Sequence, residues 1–412
     1  MEMIVDATVG KSDRIDLFAS YYRTPSAQIT EMSIDTHPID TDSAFPSPPP
    51  SSWIPPPPDV TISPPPSFEP TSLQSLISFF SGVIQRLEPT FLLREIPWLR
   101  RVLPRLLHPE FTWQHFVLGE RTLSTQIPSY NRPIGPFTRR LIGYLHYGLR
   151  EFSQYYCAWY GIRHRWVLAP LPFGLVLKWS DGTSLDEVSS MCAIRRAGIP
   201  APLVISYGEH ASTPWAPISI LMTRIPGPEL ADVYKFLDPD KRQQIVSEIH
   251  AMLKTIRSWP NPWEKRIYSL SGGPIRSIRV PNHSLGPFES ESELNDYLIS
   301  TASLHGFKST EDFENALAVA KKMQALSHPI VFTHGDFALH NILVYDGHVS
   351  GFIDWETAGW YPDYWEFTTP LRWTATNHEW GSLLLELGGS RYKAELECEL
   401  AIRALTVDSW IF

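Results

Sequence analysis

Thr333-His334-Gly335-Asp336-Phe337-Ala338-Leu339-His340-Asn341, running on through Ile342-Leu343-Val344 to Ile353-Asp354-Trp355-Glu356, is the stretch that decides the fold. A carboxylate and an amide stand five residues apart, at Asp336 and Asn341. Ile342-Leu343-Val344 and Val349 to Ile353 read as two short strands joined by a turn at Asp346-Gly347. Such a hairpin returns Asp354, at the exit of its second strand, to the side of Asn341. Phosphoryl transfer needs a carboxylate beside the acceptor hydroxyl, one or two metal ions on the phosphates, and hard oxygen ligands for those ions. The Asp-x4-Asn spacing lets one loop aim Asp336 at a hydroxyl while Asn341 reaches inward to a divalent ion, so segment 333–356 can supply all three.

Upstream, Trp166 to Trp179 is apolar and strand-like, bent at Pro170 and Pro172, and the turn Asp181-Gly182-Thr183 ends it. Ser184 or Asp186 caps a helix carrying Val188, Met191, Cys192 and Ile194, which stops before Gly198 and Pro200. A further strand, Ile218 to Met222, runs into Thr223-Arg224-Ile225-Pro226-Gly227. Beyond it helical spacing dominates, as in Ile245, Ile249, Met252, Leu253 and Ile256. This order implies an α+β chain with a small strand-rich lobe ahead of a large helical one. No first strand can be placed in 110–165, where Thr125 to Pro136 reads as loop.

The pattern His334-Gly335-Asp336, Asn341-Ile342-Leu343-Val344 and Ile353-Asp354-Trp355-Glu356-x-Ala358-Gly359 resembles the catalytic and metal loops of the aminoglycoside phosphotransferase and choline kinase-like family, in its fungal form. Trp360-Tyr361-Pro362-Asp363-Tyr364-Trp365-Glu366 and the turn Gly286-Pro287-Phe288 are similar to the same relatives. The resemblance spans roughly residues 160 to 410 and is densest at 333–366. It implies a two-lobed protein-kinase-like fold and an ATP- and Mg2+-dependent transfer of the γ-phosphoryl group to a hydroxyl of a small molecule. By that resemblance Asp336 would be the catalytic base, while Asn341 and Asp354 would be metal ligands. Lys178 followed by Glu187 fits a strand lysine on the nucleotide phosphates held by a helix glutamate, although Asp186 is adjacent and either acid could face the cleft. Ile220 to Arg224 resembles the hinge, where backbone groups of Leu221, Met222 and Thr223 would meet an adenine edge. Glu366 reads as structural rather than catalytic.

The chain also departs from that pattern. No Gly-x-Gly-x-x-Gly lies upstream of Lys178, and Gly161 and Gly174 are the only glycines between residues 149 and 177. A backbone cradle for phosphates is therefore not evident, which leaves a second reading: a catalytically weak or silent kinase fold used as a binding or regulatory module. His334 and His340 could join Asp336 and Asp354 in a metal-hydrolase cluster. His334 reads better as a loop-fixing hydrogen-bonding residue and His340 as a packed or solvated side chain. Trp355 and Trp360 read as core aromatics rather than a cation-binding cage. A protein-substrate kinase is disfavoured because no long activation segment follows Asp354-Trp355-Glu356.

At 412 residues the chain holds two or three folding units, and 43% hydrophobic and 12% aromatic residues can fill their interiors. The net charge of −9 is concentrated in residues 1–70, with ten acidic and three basic side chains, leaving about −2 for the rest. No basic stripe for a nucleic-acid backbone remains. Twelve of the 25 residues from Pro46 to Pro70 are proline, a composition that resists helix and sheet alike. The expected division is therefore a disordered, Pro-rich acidic tail at 1–70, a helical N-terminal extension and the start of the small lobe at 71–160, the small lobe at 161–224, and the large lobe at 225–412. The tail reads as a solvated linker, with weak docking to a proline-reading domain as the alternative. Leu73, Leu76, Ile77, Phe80, Val83, Ile84 and Leu87 fall on one face of an amphipathic helix too short and interrupted to span a bilayer. Cys157, Cys192 and Cys398 lack the spacing of a disulfide framework. With no secretory pattern after Met1, a cytoplasmic protein without a transmembrane segment is expected.

Overall fold

The computed structural model describes residues 104–113, 122–129, 133–277, 279–280, 283–376 and 378–406. The readings of 1–70 as a tail and of Leu73 to Leu87 as a helix lie outside these residues. Among the described residues no helix is long and apolar enough to cross a membrane, and all three cysteines are unpaired.

The small lobe is a four-stranded antiparallel sheet in the order β1-β2-β4-β3, from β1 (Leu168–Leu171), β2 (Leu175–Lys178), β3 (Val204–Glu209) and β4 (Ile218–Thr223). Trp166 to Trp179, expected as one bent strand, is instead a hairpin. Leu171 pairs with Leu175, and Phe173 and Gly174 turn the chain at φ 63° and 62°. Pro170 is tolerated because β1 lies at the sheet edge, where a missing N–H need not break an inner ladder. The first strand sought in 110–165 is thus β1 itself.

Within 110–165 the described residues form a helix, α1 (Pro136–Tyr160), which starts on a proline and ends at Gly161 in the left-handed conformation. Strand alternation decides which face it covers. Val176, Ile218, Ile220 and Met222 point into the main core, whereas Ala169, Leu171, Leu177 and Leu221 pack with Leu149 and Phe152 of α1 on the other side. The helix crosses β3 so closely that a Cβ on Gly143 would collide with the Glu209 carbonyl. His146, fully buried on α1, bonds Ser219 Oγ at 2.7 Å and Ser206 Oγ at 2.8 Å, and His210 reaches Ser219 from the far side at 2.8 Å.

On the inner face sits α2 (Leu185–Arg196), capped by Ser184, whose hydroxyl accepts the Glu187 N–H at 3.1 Å. Val188, Met191 and Ile194 bury its apolar side in the main core. Residues 104–113 bind the β1–β2 turn from outside: Phe173 N–H donates to Leu106 O at 2.8 Å and Trp113 Nε1 donates to Phe173 O at 2.9 Å.

The large lobe contains α3 (Pro239–Arg257), the short pair β5 (Ile275–Arg276) and β6 (Ser284–Leu285), α4 (Glu291–Ser300) and α5 (Thr310–Lys321). Next come β7 (Ile330–Thr333), β8 (Ile342–Tyr345), β9 (His348–Phe352) and β10 (Gly359–Pro362), then α6 (Trp365–Leu371), α7 (Glu379–Leu387) and α8 (Lys393–Leu405). The hairpin β8–β9 turns at Asp346-Gly347, both at positive φ, as the sequence suggests. Strand β7 pairs with β10, Thr333 opposite Gly359, so the two ends of the 333–359 segment are pinned together. Trp355 and Trp360 are buried in the core, not set out as a cage.

Candidate active site

The loop after β7 is built on buried polar contacts. His334 N–H donates to Glu366 Oε2 at 2.8 Å, and Thr357 Oγ1 donates to His334 O at 2.8 Å. The His334 ring donates from Nε2 to Ile353 O at 2.9 Å, which leaves Nδ1 to accept the Asp336 N–H at 3.3 Å. Both ring nitrogens are thereby used in holding the loop, and His340 is exposed. Glu366, with no exposed surface, serves the loop backbone. The imidazole metal cluster of a hydrolase is not formed by these residues.

Held this way, Asp336 is partly accessible. Asn341 Nδ2 donates to Asp336 O at 2.9 Å and to Asp336 Oδ2 at 3.1 Å, so the Asp-x4-Asn spacing brings the two side chains together. Ile353 N–H donates to Asn341 O at 2.9 Å, which fixes the end of β9 beside the loop. Asp354 follows in the left-handed conformation, φ 65°, a position costly for a non-glycine residue and one that re-aims its carboxylate.

Lys178 crosses from the small lobe to meet it. Its Nζ lies 2.8 Å from Glu187, 2.6 Å from Asp354 and 3.1 Å from Glu356. Of the two adjacent acids on α2, Glu187 therefore faces the cleft, whereas Asp186 accepts the Ser271 hydroxyl at 2.5 Å. Burial opposes the charge on Lys178, but the three carboxylates outweigh it and hold the ammonium well above its usual range. Burial pushes Glu187 up to about 7, against the pull of Lys178. One ammonium shared among three acids does not compensate the acid buried deepest. Burial would also raise Asp354; here the adjacent ammonium and its hydrogen bond prevail and hold the carboxyl below its usual range.

The hinge differs from expectation. Strand β4 is internal to the sheet: Leu221 and Met222 have register partners in both β2 and β3, and Thr223 pairs with Leu175 while its N–H donates to Leu203 O at 3.0 Å. The backbone of Leu221, Met222 and Thr223 is thus engaged in the sheet, and the Leu221 side chain faces α1 rather than the cleft. The chain leaves the sheet after Thr223, with the Arg224 N–H still donating to Gly174 O at 2.7 Å.

Two site residues escaped the sequence reading. Glu356 bonds Lys178 and also accepts from Arg276 Nε at 3.0 Å, and Arg276 Nη2 lies 3.3 Å from Asp181 Oδ2. Glu356 could have been found from its place two residues after Asp354. Arg276 carried no local signal.

A lysine from the small lobe thus meets an acid from the large one, beside a carboxylate–amide loop. The model of the phosphotransferase enzyme family, APH, matches residues 148–397. The chain belongs to that family. The two lobes described above are the protein-kinase-like fold of APH proteins, α+β in class. Among solved structures, the chain is similar to the apo form of a thermostable mutant of aminoglycoside phosphotransferase APH(4)-Ia, at 14% identity and TM-score 0.40, over 55% of this chain and 76% of that one. It is also similar to an aminoglycoside-3'-phosphotransferase of type VIII, at 16% identity and TM-score 0.36, over 56% and 84% of the two chains. No curated protein matches it.

Proposed function

We propose that this APH-family chain transfers the γ-phosphoryl group of ATP, with Mg2+, to a hydroxyl of a small molecule. The observation that carries this reading is the 2.6 Å contact between Lys178 and Asp354, which lie 176 positions apart in the sequence. It joins a phosphate-gripping cation of the small lobe to an acid of the large lobe, the two kinds of side chain that phosphoryl transfer places around the nucleotide phosphates. In this reading residues 161–224 and 225–412 are the two halves that close on the nucleotide. Lys178 receives its phosphates, Glu187 holds Lys178, and Arg224 to Gly227 meets the adenine.

Asp336 takes the part of the base: it accepts the proton of the acceptor hydroxyl and orients its oxygen toward the γ-phosphorus. The His334 and Glu366 contacts support that role by fixing its loop. Asp354 and Asn341 are the residues that would hold Mg2+. With Nδ2 of Asn341 committed to Asp336, its Oδ1 is the atom that can face a cation. Among the described residues no group of three His, Cys, Asp or Glu side chains could hold a metal alone. That suits Mg2+, which takes one or two protein carboxylates and leaves other positions to phosphate and water. Once bound, the ion neutralises charge on the phosphate oxygens.

Purified protein given ATP, Mg2+ and a panel of small alcohols should release ADP only with particular acceptors. Asp336→Ala should lower that rate about 10²- to 10⁴-fold. Equal ADP release by both proteins across the panel would remove the reading. The lack of a Gly-x-Gly-x-x-Gly ahead of Lys178 favours the second reading of a silent binding module. That module predicts no thermal stabilisation by millimolar ATP with Mg2+, where a nucleotide-binding enzyme is stabilised.

A further inference from the structure

Arg276 brings a second cation to the neighbourhood of Lys178. It donates from Nε to Glu356 Oε1 at 3.0 Å, and the other oxygen of the same carboxylate accepts from Lys178 Nζ at 3.1 Å. One carboxylate therefore bridges an ammonium and a guanidinium, as an oxygen pair of a phosphate would between the same donors. Gly182 forms the wall behind it, where a Cβ would collide with the Glu356 carboxylate. Backbone thus reaches the place of the anion with no side chain between, the close approach that glycine permits.

Lys178 is supplied with more anions than one ammonium can satisfy, so an arriving phosphate must displace one. The Glu187 side chain is 1% exposed, and among the described residues Lys178 is the cation it pairs with. Asp354 is aimed by its left-handed backbone. Glu356, 17% exposed on the single turn Trp355–Thr357, is neither fully buried nor set by a left-handed backbone and is the acid able to leave.

We propose that Lys178, Arg276 and Gly182 form an anion subsite for a phosphate group of the nucleotide, filled by the Glu356 carboxylate until a nucleotide arrives. This rests on the phosphotransferase reading above and supplies, from the large lobe, a grip that no glycine loop provides. Between two fixed cations, a polyphosphate of higher charge is favoured over a single carboxylate. The exchange is non-covalent.

Calorimetric titration of the full chain with ADP, in EDTA and again with Mg2+, tests it. Arg276→Gln should weaken ADP about tenfold or more in either condition, and Arg276→Lys should weaken it less. Glu356→Gln should tighten ADP several-fold in EDTA, because the competing anion is gone. These opposite signs cannot both come from loss of structure, and Glu356→Gln carries the test if Arg276→Gln fails to fold. Unchanged ADP affinity in Arg276→Gln, or weaker metal-free ADP in Glu356→Gln, overturns the subsite. A wild-type chain that binds no ADP in either condition overturns the phosphotransferase reading instead.

Discussion

The outer face of the small-lobe sheet holds His146, Ser206, Ser219 and His210 beneath α1, while the inner face holds Lys178 among Glu187, Asp354 and Glu356. Both clusters are polar and both are largely buried. The outer one is neutral: each imidazole nitrogen facing a serine has a matching hydroxyl, and nothing in it awaits a ligand. The inner one is charged and out of balance, with three carboxylates against the ammonium of Lys178 and the guanidinium of Arg276. Neutral hydrogen-bonded groups cost little to bury, so they serve to fasten a helix. Charges cost much to bury and stay in place only when paired, so an excess of one sign marks a place where something else is to bind.

The largest effect should come from removing the inner cation. Lys178→Met leaves Glu187 buried without a counter-charge, which should cost about 3–5 kcal/mol in denaturant unfolding. Adding Glu187→Gln should recover part of that loss; no recovery would mean that Glu187 is not the stranded charge.

Acid should act next, and on the outer face. Burial, reinforced by His210, holds His146 down to about 4, and burial with the nearby Arg150 holds His210 down to about 4. At neutral pH both rings are uncharged when folded and mostly so when unfolded. As the pH falls below the unfolded value near 6.5, the unfolded chain takes protons that the folded one refuses, so stability drains toward pH 4. The two rings should together give up about 2 to 4 kcal/mol between pH 7 and pH 5, against a gain from Glu187, whose carboxyl sits at about 7 when folded. Their share is therefore read as the difference in urea unfolding between wild type and His146→Gln across pH. His146→Gln should flatten part of that slope, and a slope unchanged by it would break the contrast between the faces.

Smallest is the crossing of α1 over β3. Gly143→Ala forces the helix from the Glu209 carbonyl and should cost about 1–3 kcal/mol, with ADP affinity left nearly as it was. A large change in ADP affinity would mean that the outer face reaches into the cleft.

Much of the candidate site was legible because its determinants are local. Asp336, Asn341 and Asp354 lie within one loop and one hairpin, where turn chemistry and strand alternation fix the geometry over a few residues. The α2 cap at Ser184 and the Asp346-Gly347 turn were legible for the same reason. Helix α1 was not, since Phe137, Leu141, Tyr144 and Trp159 are exposed and blur the apolar face that periodicity looks for. The β1–β2 hairpin was hidden by Pro170, which resembles a bend until the strand is known to lie at an edge. The engagement of the Leu221 to Thr223 backbone in the sheet was not legible, because strand order, not composition, determines which backbone groups the sheet consumes.

By itself the sequence determined the family, the two-lobed architecture and the grouping of Asp336, Asn341 and Asp354, all through short-range spacing. Only the tertiary structure decided that Lys178 meets Asp354, that Glu187 rather than Asp186 faces the cleft, and that Arg276 shares Glu356 with Lys178. Charges are paired by distance in space, and lobes that close on each other set distances that no spacing along the chain encodes.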